Sequence, residues 1–175
     1  MVTSGRNARS SRRTGPSALL FSRQNLPFQK RDAAQTAAIR RGGYVLAEAA
    51  GGAPRAVIIA TGSEVALALA AQQQLAGEGI AVRVVSMPST SVFDRQEDAW
   101  RTAVLPIGIP RVAVEAGVTA GWHKYVGLEG AVVGLDRFGE SAPAGALFKL
   151  FGFTPDNVAR TVKSVLNVPS AAAEP

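Results

Sequence analysis

The chain has 175 residues, 47% hydrophobic and 18% charged, with no cysteine and one histidine, His123. That is enough for one domain with a real core and too little for two large ones. It excludes disulfides, thiolate zinc sites, thiol nucleophiles and chemistry that needs a pair of histidines. The formal charge is +6, yet residues 1–41 carry nine basic side chains against Asp32 (+8), and the other 134 residues carry ten basic and twelve acidic ones (−2). A basic front end on a near-neutral body is a poor match to a nucleic-acid binder. No apolar run approaches the roughly 20 residues that span a bilayer, so the chain is expected to be soluble, with no membrane partner.

Residues 1–14, MVTSGRNARSSRRT, are expected to form a disordered basic tail, because they hold almost nothing to bury. An acid-free Arg/Ser tract also has the composition of a transit peptide, but the apolar positions of an amphipathic helix are missing. After Gly15-Pro16, SALLF (17–21) reads as a short strand, QNLPFQKRD (24–32) as a linker stopped at Pro27, and AAQTAAIR (33–40) as one or two helical turns.

A regular alternation follows. GYVLAEA (43–49) is strand-like, GGAPR (51–55) is a turn, and AVIIATG (56–62) is a continuous apolar run of the kind found in strands buried on both faces. Ser63 is placed to cap the helix EVALALAAQQQLAGEG (64–79). Strand AVRVVSMP (81–88) precedes helix SVFDRQEDAWRTAVL (91–105), and strand RVAVEAG (111–117) precedes a short helix near Trp122–Tyr125. Strand GAVVGLDRFG (130–139) precedes helix PAGALFKLFGF (143–153). A last helix starts at Thr154-Pro155-Asp156, where Thr caps, Pro suits the first helical position and Asp suits the positive dipole end. The tail NVPSAAAEP (167–175) is expected to fray.

Alternating strands and helices predict an α/β fold with three layers, α/β/α, around a five-stranded mixed sheet. Four strands are parallel. The first is antiparallel, because its link to the second is too short for a crossover, which makes the first two strands a pair.

Four groups of residues are candidates for chemistry. Gly62-Ser63-Glu64, at a strand end, offers backbone N–H groups for an anion, or simply a helix cap, and it lacks the glycine spacing of a phosphate loop. Glu115 and Glu140 follow strands, at the end where open α/β sheets bind ligands. They either do acid–base work or pair with amides, Arg137 or Lys124. Trp122-His123-Lys124-Tyr125 fits a surface or subunit contact better than catalysis. Arg23, beside Ser22 and Gln24 and before Pro27, has a planar guanidinium that can grip a phosphate or a carboxylate bidentately.

Longer blocks carry a more specific signal. GPSALLFSRQNLP, RGGYVLAEA, VIIATGSEVALALAA, VRVVSMPSTSVFDRQ, RVAVEAG and WHKYVGLEGAVVGLDRFGESAPAGALFKLFGFTPDNV together resemble the C-terminal portion of bacterial-type transketolase, over about residues 15–166. The resemblance implies a transketolase C-terminal-domain fold. The family function is transfer of a two-carbon ketol unit between sugar phosphates of the pentose phosphate pathway, by a cytoplasmic homodimer that uses thiamine diphosphate and Mg²⁺. It also implies a division of the chain: tail 1–14, the last strand of a pyrimidine-binding domain with its linker (15–41), the C-terminal domain (42–167) and a flexible end (168–175). Of the family's functional residues it carries over only the arginine of the SRQ block, which makes Arg23 a substrate-phosphate contact. It assigns no catalytic, cofactor-binding or metal-binding residue here, so thiamine diphosphate and Mg²⁺ would be held elsewhere. The expectation is a C-terminal fragment, inactive alone, with a structural or dimer-contact role. The alternative is an accessory domain that binds a small ligand at the strand ends or docks to a separate N-terminal transketolase subunit.

Overall fold

The computed structural model describes residues 15, 16 and 18–168. The expected tails at 1–14 and 169–175 lie outside the described residues.

The strand that organises the fold is the one with the most continuous apolar run. In β2 (Ala56–Ala60) every residue is buried. It lies between β3 (Val82–Ser86) and β4 (Arg111–Val114), parallel to both, with Ile58 opposite Val84 on one side and Val112 on the other. β5 (Ala131–Val133) extends the sheet beyond β4 in parallel, and β1 (Tyr44–Ala47) closes the other edge antiparallel to β3. The order is β1-β3-β2-β4-β5. The predicted mixed sheet is therefore present, but β1 pairs with β3 and not with β2. Both edges of β2 are occupied by parallel neighbours, so β1 takes the free edge of β3.

Period-2 alternation along β2 separates two cores. Ala56, Ile58 and Ala60 face α2 (Val65–Gly77) and α7 (Pro155–Val165), against Ala68, Leu75, Val158 and Val162. Val57 and Ile59 face the opposite way, toward Phe93, Trp122 and Tyr125. These belong to α3 (Thr90–Phe93), to a 3₁₀ turn (Thr119–Trp122) and to α5 (His123–Val126). The chain thus winds from β2 through α2 to β3 on one face, then back past β2 to β4 on the other. Right-handed crossovers in opposite directions require this change of face. The point of reversal lies between β2 and β4.

Local chemistry sets the element ends. α1 (Ala33–Ala38) has a reciprocal capping box between Asp32 and Gln35. The Gln35 amide also donates to Leu46 O (2.7 Å) and Val45 O, covering part of the open edge of β1. After α6 (Ala144–Leu150), Thr154 caps α7 by accepting from Asn157 N, with Pro155 in the first turn, as the sequence predicts. Gly42 is forced: its φ is +82°, and a Cβ there would stand 2.4 Å from Ser89 O.

Three further expectations are corrected. Residues 18–21 form no strand: Leu20 and Phe21 stand in solvent, and no strand of the sheet pairs with them. The helix predicted over 91–105 breaks into α3 and α4 (Asp98–Val104). Between them Arg95 N and Gln96 N bond three residues back, to Val92 O and Phe93 O, which tightens and ends the first turn. Ser63 caps nothing: it lies inside a 3₁₀ turn (Gly62–Glu64), and its hydroxyl donates to Glu64 Oε1 at 2.7 Å.

Candidate functional site

The carboxyl end of the sheet is where the strand reversal opens a crevice and where an α/β fold ordinarily binds its ligand. Two glutamates stand there. Glu64 follows β2 and is only 4% exposed. Burial pushes its carboxyl above the ordinary value, the Ser63 hydroxyl partly offsets this, and the nearby Glu115 charge adds to the rise. Glu115 follows β4 and accepts a hydrogen bond from the Trp122 indole N–H. Neither glutamate has a cationic partner among the described residues.

The other sequence candidates disperse. Glu140 pairs with Arg137 (3.0 Å) on the exposed loop after β5. Trp122 and Tyr125 are core residues, with ring centroids 5.8 Å apart, and not the exposed contact their composition suggested. His123 is exposed beside them. Lys124 pairs with Asp94 (2.7 Å), whose other oxygen accepts from the Tyr125 hydroxyl (2.8 Å). Sequence reasoning missed Asp94, because nothing in the DRQ triplet marks a carboxylate that reaches 31 residues ahead in the chain.

Arg23 is exposed, and among the described residues no carboxylate lies within ion-pair distance of it. Its arm nevertheless returns to the strand ends. A Cβ on Gly62 would stand 3.8 Å from Glu64 Oε2 and 4.0 Å from Ser22 Oγ, so both polar groups face the bare Cα of Gly62. A few residues on, the arm and the start of α2 enclose a cleft of about 380 Å³, lined by Leu26, Phe28, Ile39, Tyr44, Val65 and Pro88 among others. Arg31 anchors this part of the arm by donating to the Tyr44 hydroxyl and to Gln29 O. The sequence signalled none of these contacts, because the partners lie apart in the chain: Ser22 and Gly62 by 40 residues, Arg31 and Tyr44 by 13.

A diphosphate and its metal do not fit this end of the sheet. It presents two carboxylates, which would repel a diphosphate, and one of them is already taken by an indole N–H. Among the described residues no three His, Asp or Glu side chains converge to hold a metal ion.

The family model described as "Transketolase-like TK C-terminal domain" matches residues 42–154. The chain belongs to the transketolase C-terminal-domain family. Curated transketolases are similar over 89% of the chain: transketolase 1 of Vibrio cholerae at 58% identity and transketolase 1 of Escherichia coli at 57%, each over 156 residues. The chain spans only 23% of the length of these relatives. Among solved structures, transketolase from Leishmania mexicana superposes with a TM-score of 0.74 at 44% identity, over 87% of this chain and 22% of that one. A structure described as "Split gene transketolase, inactive beta4 tetramer" superposes with a TM-score of 0.56 at 30% identity, over 75% of this chain and 44% of that one. Among the described residues no helix is long and apolar enough to cross a membrane.

Proposed function

We propose that this chain supplies the C-terminal domain of a cytoplasmic transketolase and works only when joined to thiamine-diphosphate-binding domains. In that assembly it has two tasks. Residues 42–167 form a rigid domain that docks against the rest of the enzyme, and Arg23 reaches into the substrate channel and grips the sugar phosphate. Thiamine diphosphate and Mg²⁺ supply the ketol-transfer chemistry of the pentose phosphate pathway from the other domains. Residues 15–41 belong with the pyrimidine-binding domain and link it to this one.

The observation that carries this reading is the state of the arm. Leu20 (88% exposed), Phe21 (63%) and Phe28 (86%) stand in solvent next to a guanidinium that no described carboxylate neutralises. Large apolar side chains left in solvent along one segment mark a contact surface awaiting a partner. Support for a partner on a separate chain comes from the split-gene neighbour, which is described as inactive in a β4 tetramer.

The test is reconstitution. The full chain is mixed with a separately expressed N-terminal portion of a transketolase that carries the diphosphate- and pyrimidine-binding domains, in the presence of thiamine diphosphate and Mg²⁺. Ketol transfer by the mixture, and by neither part alone, is the expected result. Turnover by this chain alone, or no complex on size-exclusion chromatography, overturns the proposal.

A further inference from the structure

The cleft between the arm and the start of α2 lies at the carboxyl end of β2 and β3. Tyr44 pairs with Ser86 and Ser86 with Ala60, so Tyr44 stands two strands from the turn that follows β2. β4 lies on the other side of β2, and neither Glu64 nor Glu115 lines the cleft. The walls are mostly apolar, with Leu26 and Phe28 from the arm facing Ile39, Val65 and Pro88. A volume of about 380 Å³ falls in the range of pockets that hold small organic molecules, where a few polar groups in an apolar wall fix the orientation.

Two polar side chains of this wall carry donors that the described residues leave unused. Tyr44 is only 2% exposed, and its hydroxyl accepts from Arg31 Nε at 2.5 Å. A phenol both accepts and donates, yet among the described residues nothing accepts the Tyr44 proton. A buried donor left in that state is costly. Arg31 spends Nε on Tyr44 and Nη1 on Gln29 O (2.8 Å), and among the described residues its Nη2 donates to nothing and no carboxylate pairs with it. Asp32, next in the chain, is turned to the cap of α1, where Oδ1 accepts from Gln35 N at 2.7 Å. We propose that this cleft binds a small organic monocarboxylate with an aromatic or aliphatic body. The two carboxylate oxygens take the Tyr44 proton and the free N–H groups of Arg31, and the body lies against Leu26, Phe28 and Val65. Arg31 is the one charged side chain among the described lining residues, so it balances one negative charge and not the two of a phosphate dianion. Phe28 and Arg31 come from the arm, and Tyr44 and Val65 from the domain, so an occupant ties the two together.

The full chain is titrated with cinnamate, a planar monocarboxylate, and binding is followed by backbone-amide NMR shifts. Saturable binding with a Kd of about 1 mM or below is expected, with the shifts centred on Tyr44, Gly62 and Ser63. Cinnamamide keeps the body and loses the charge, and should bind about tenfold more weakly or worse. Tyr44→Phe keeps the ring in the core and removes the hydroxyl, and should weaken cinnamate about tenfold. Ala66→Leu, at a half-buried α2 position lining the cleft, fills the space and should abolish binding without lowering the melting temperature. It decides the matter by itself if Tyr44→Phe fails to fold. Absence of saturable cinnamate binding overturns the site, and so does an unchanged affinity in either variant. Cinnamamide or phenyl phosphate binding as tightly as cinnamate overturns the carboxylate assignment.

Discussion

The Tyr125 hydroxyl donates to Asp94 Oδ1 at 2.8 Å, and this bond joins α5 to the end of α3 across one face of the sheet. Burial and the adjacent carboxylate push the phenol up to about 12. A folded-state value raised above the ordinary 10.0 means that the contribution to stability is whole below that pH and is lost as the pH rises toward the folded value. A loss of stability in this window is therefore expected in the wild type. Tyr125→Phe should remove that alkaline step while costing about 1 kcal/mol at neutral pH. Thermal melts as a function of pH check both, and a wild-type profile flat to the upper end of the window would contradict the assignment.

Glu64 titrates in the same sense for a different reason. Burial raises its carboxyl above 4.5, so the fold favours the protonated form and loses stability as the pH rises through the folded value. Glu64→Gln is isosteric and keeps an acceptor for the Ser63 hydroxyl. It should stabilise the domain at neutral pH by on the order of 1 kcal/mol, with the gain vanishing as the pH falls below 4.5. Denaturant titrations at neutral and acidic pH separate this from a general packing effect, which would be independent of pH.

Gly42 allows no side chain. The backbone there has φ +82°, and an added Cβ would lie 2.4 Å from Ser89 O and 2.5 Å from Phe93 N, both backbone atoms that cannot step aside. Gly42→Ala combines left-handed strain with overpacking at the junction of β1 and α3, and should cost about 2–4 kcal/mol. The decisive measurement is the urea midpoint of the purified variant against wild type. A shift worth under about 1 kcal/mol would show that the junction yields more than its geometry implies.

These residues also mark what was legible in the sequence. The alternation of apolar runs with helical patterns identified all five strands, because β2 and its neighbours bury nearly every side chain and the pattern has no competing explanation. Thr154-Pro155-Asp156 announced α7 by local chemistry alone. The errors fall where long-range partners decide. β1 pairs with β3 because β2 has no free edge. Residues 18–21 have strand composition and no strand to pair with. Arg111 opens β4, and nothing local in the sequence marks its role. It is a clamp, with Nη2 donating to Leu105 O (3.1 Å) and Pro106 O (2.9 Å) and Nη1 to Tyr125 O (2.8 Å), holding the ends of two helices whose proximity no local pattern encodes. At the candidate site the sequence named the turn at Gly62, the carboxylates Glu115 and Glu140, and Arg23, and it missed the buried Glu64 carboxyl. It gave no sign that the Glu64 turn and the Arg23 arm converge on Gly62.

The last prediction concerns Arg23. An arginine that grips a phosphate with two parallel N–H groups contributes geometry as well as charge, and the two can be separated by substitution. In the reconstituted enzyme Arg23→Ala should raise KM for a phosphorylated sugar by about 10–100-fold, the equivalent of one lost charge-assisted contact of about 1.5–3 kcal/mol. Turnover of a non-phosphorylated acceptor should hardly change, because the lost interaction reaches only the phosphate end of the substrate. Arg23→Lys keeps the charge and loses the fork, and should fall between the two. Equal losses with phosphorylated and non-phosphorylated substrates would mean that the guanidinium serves the assembly of the domains and not the phosphate. In that case the exposed apolar residues of the arm, Leu20, Phe21 and Phe28, would be the better place to look for what Arg23 touches.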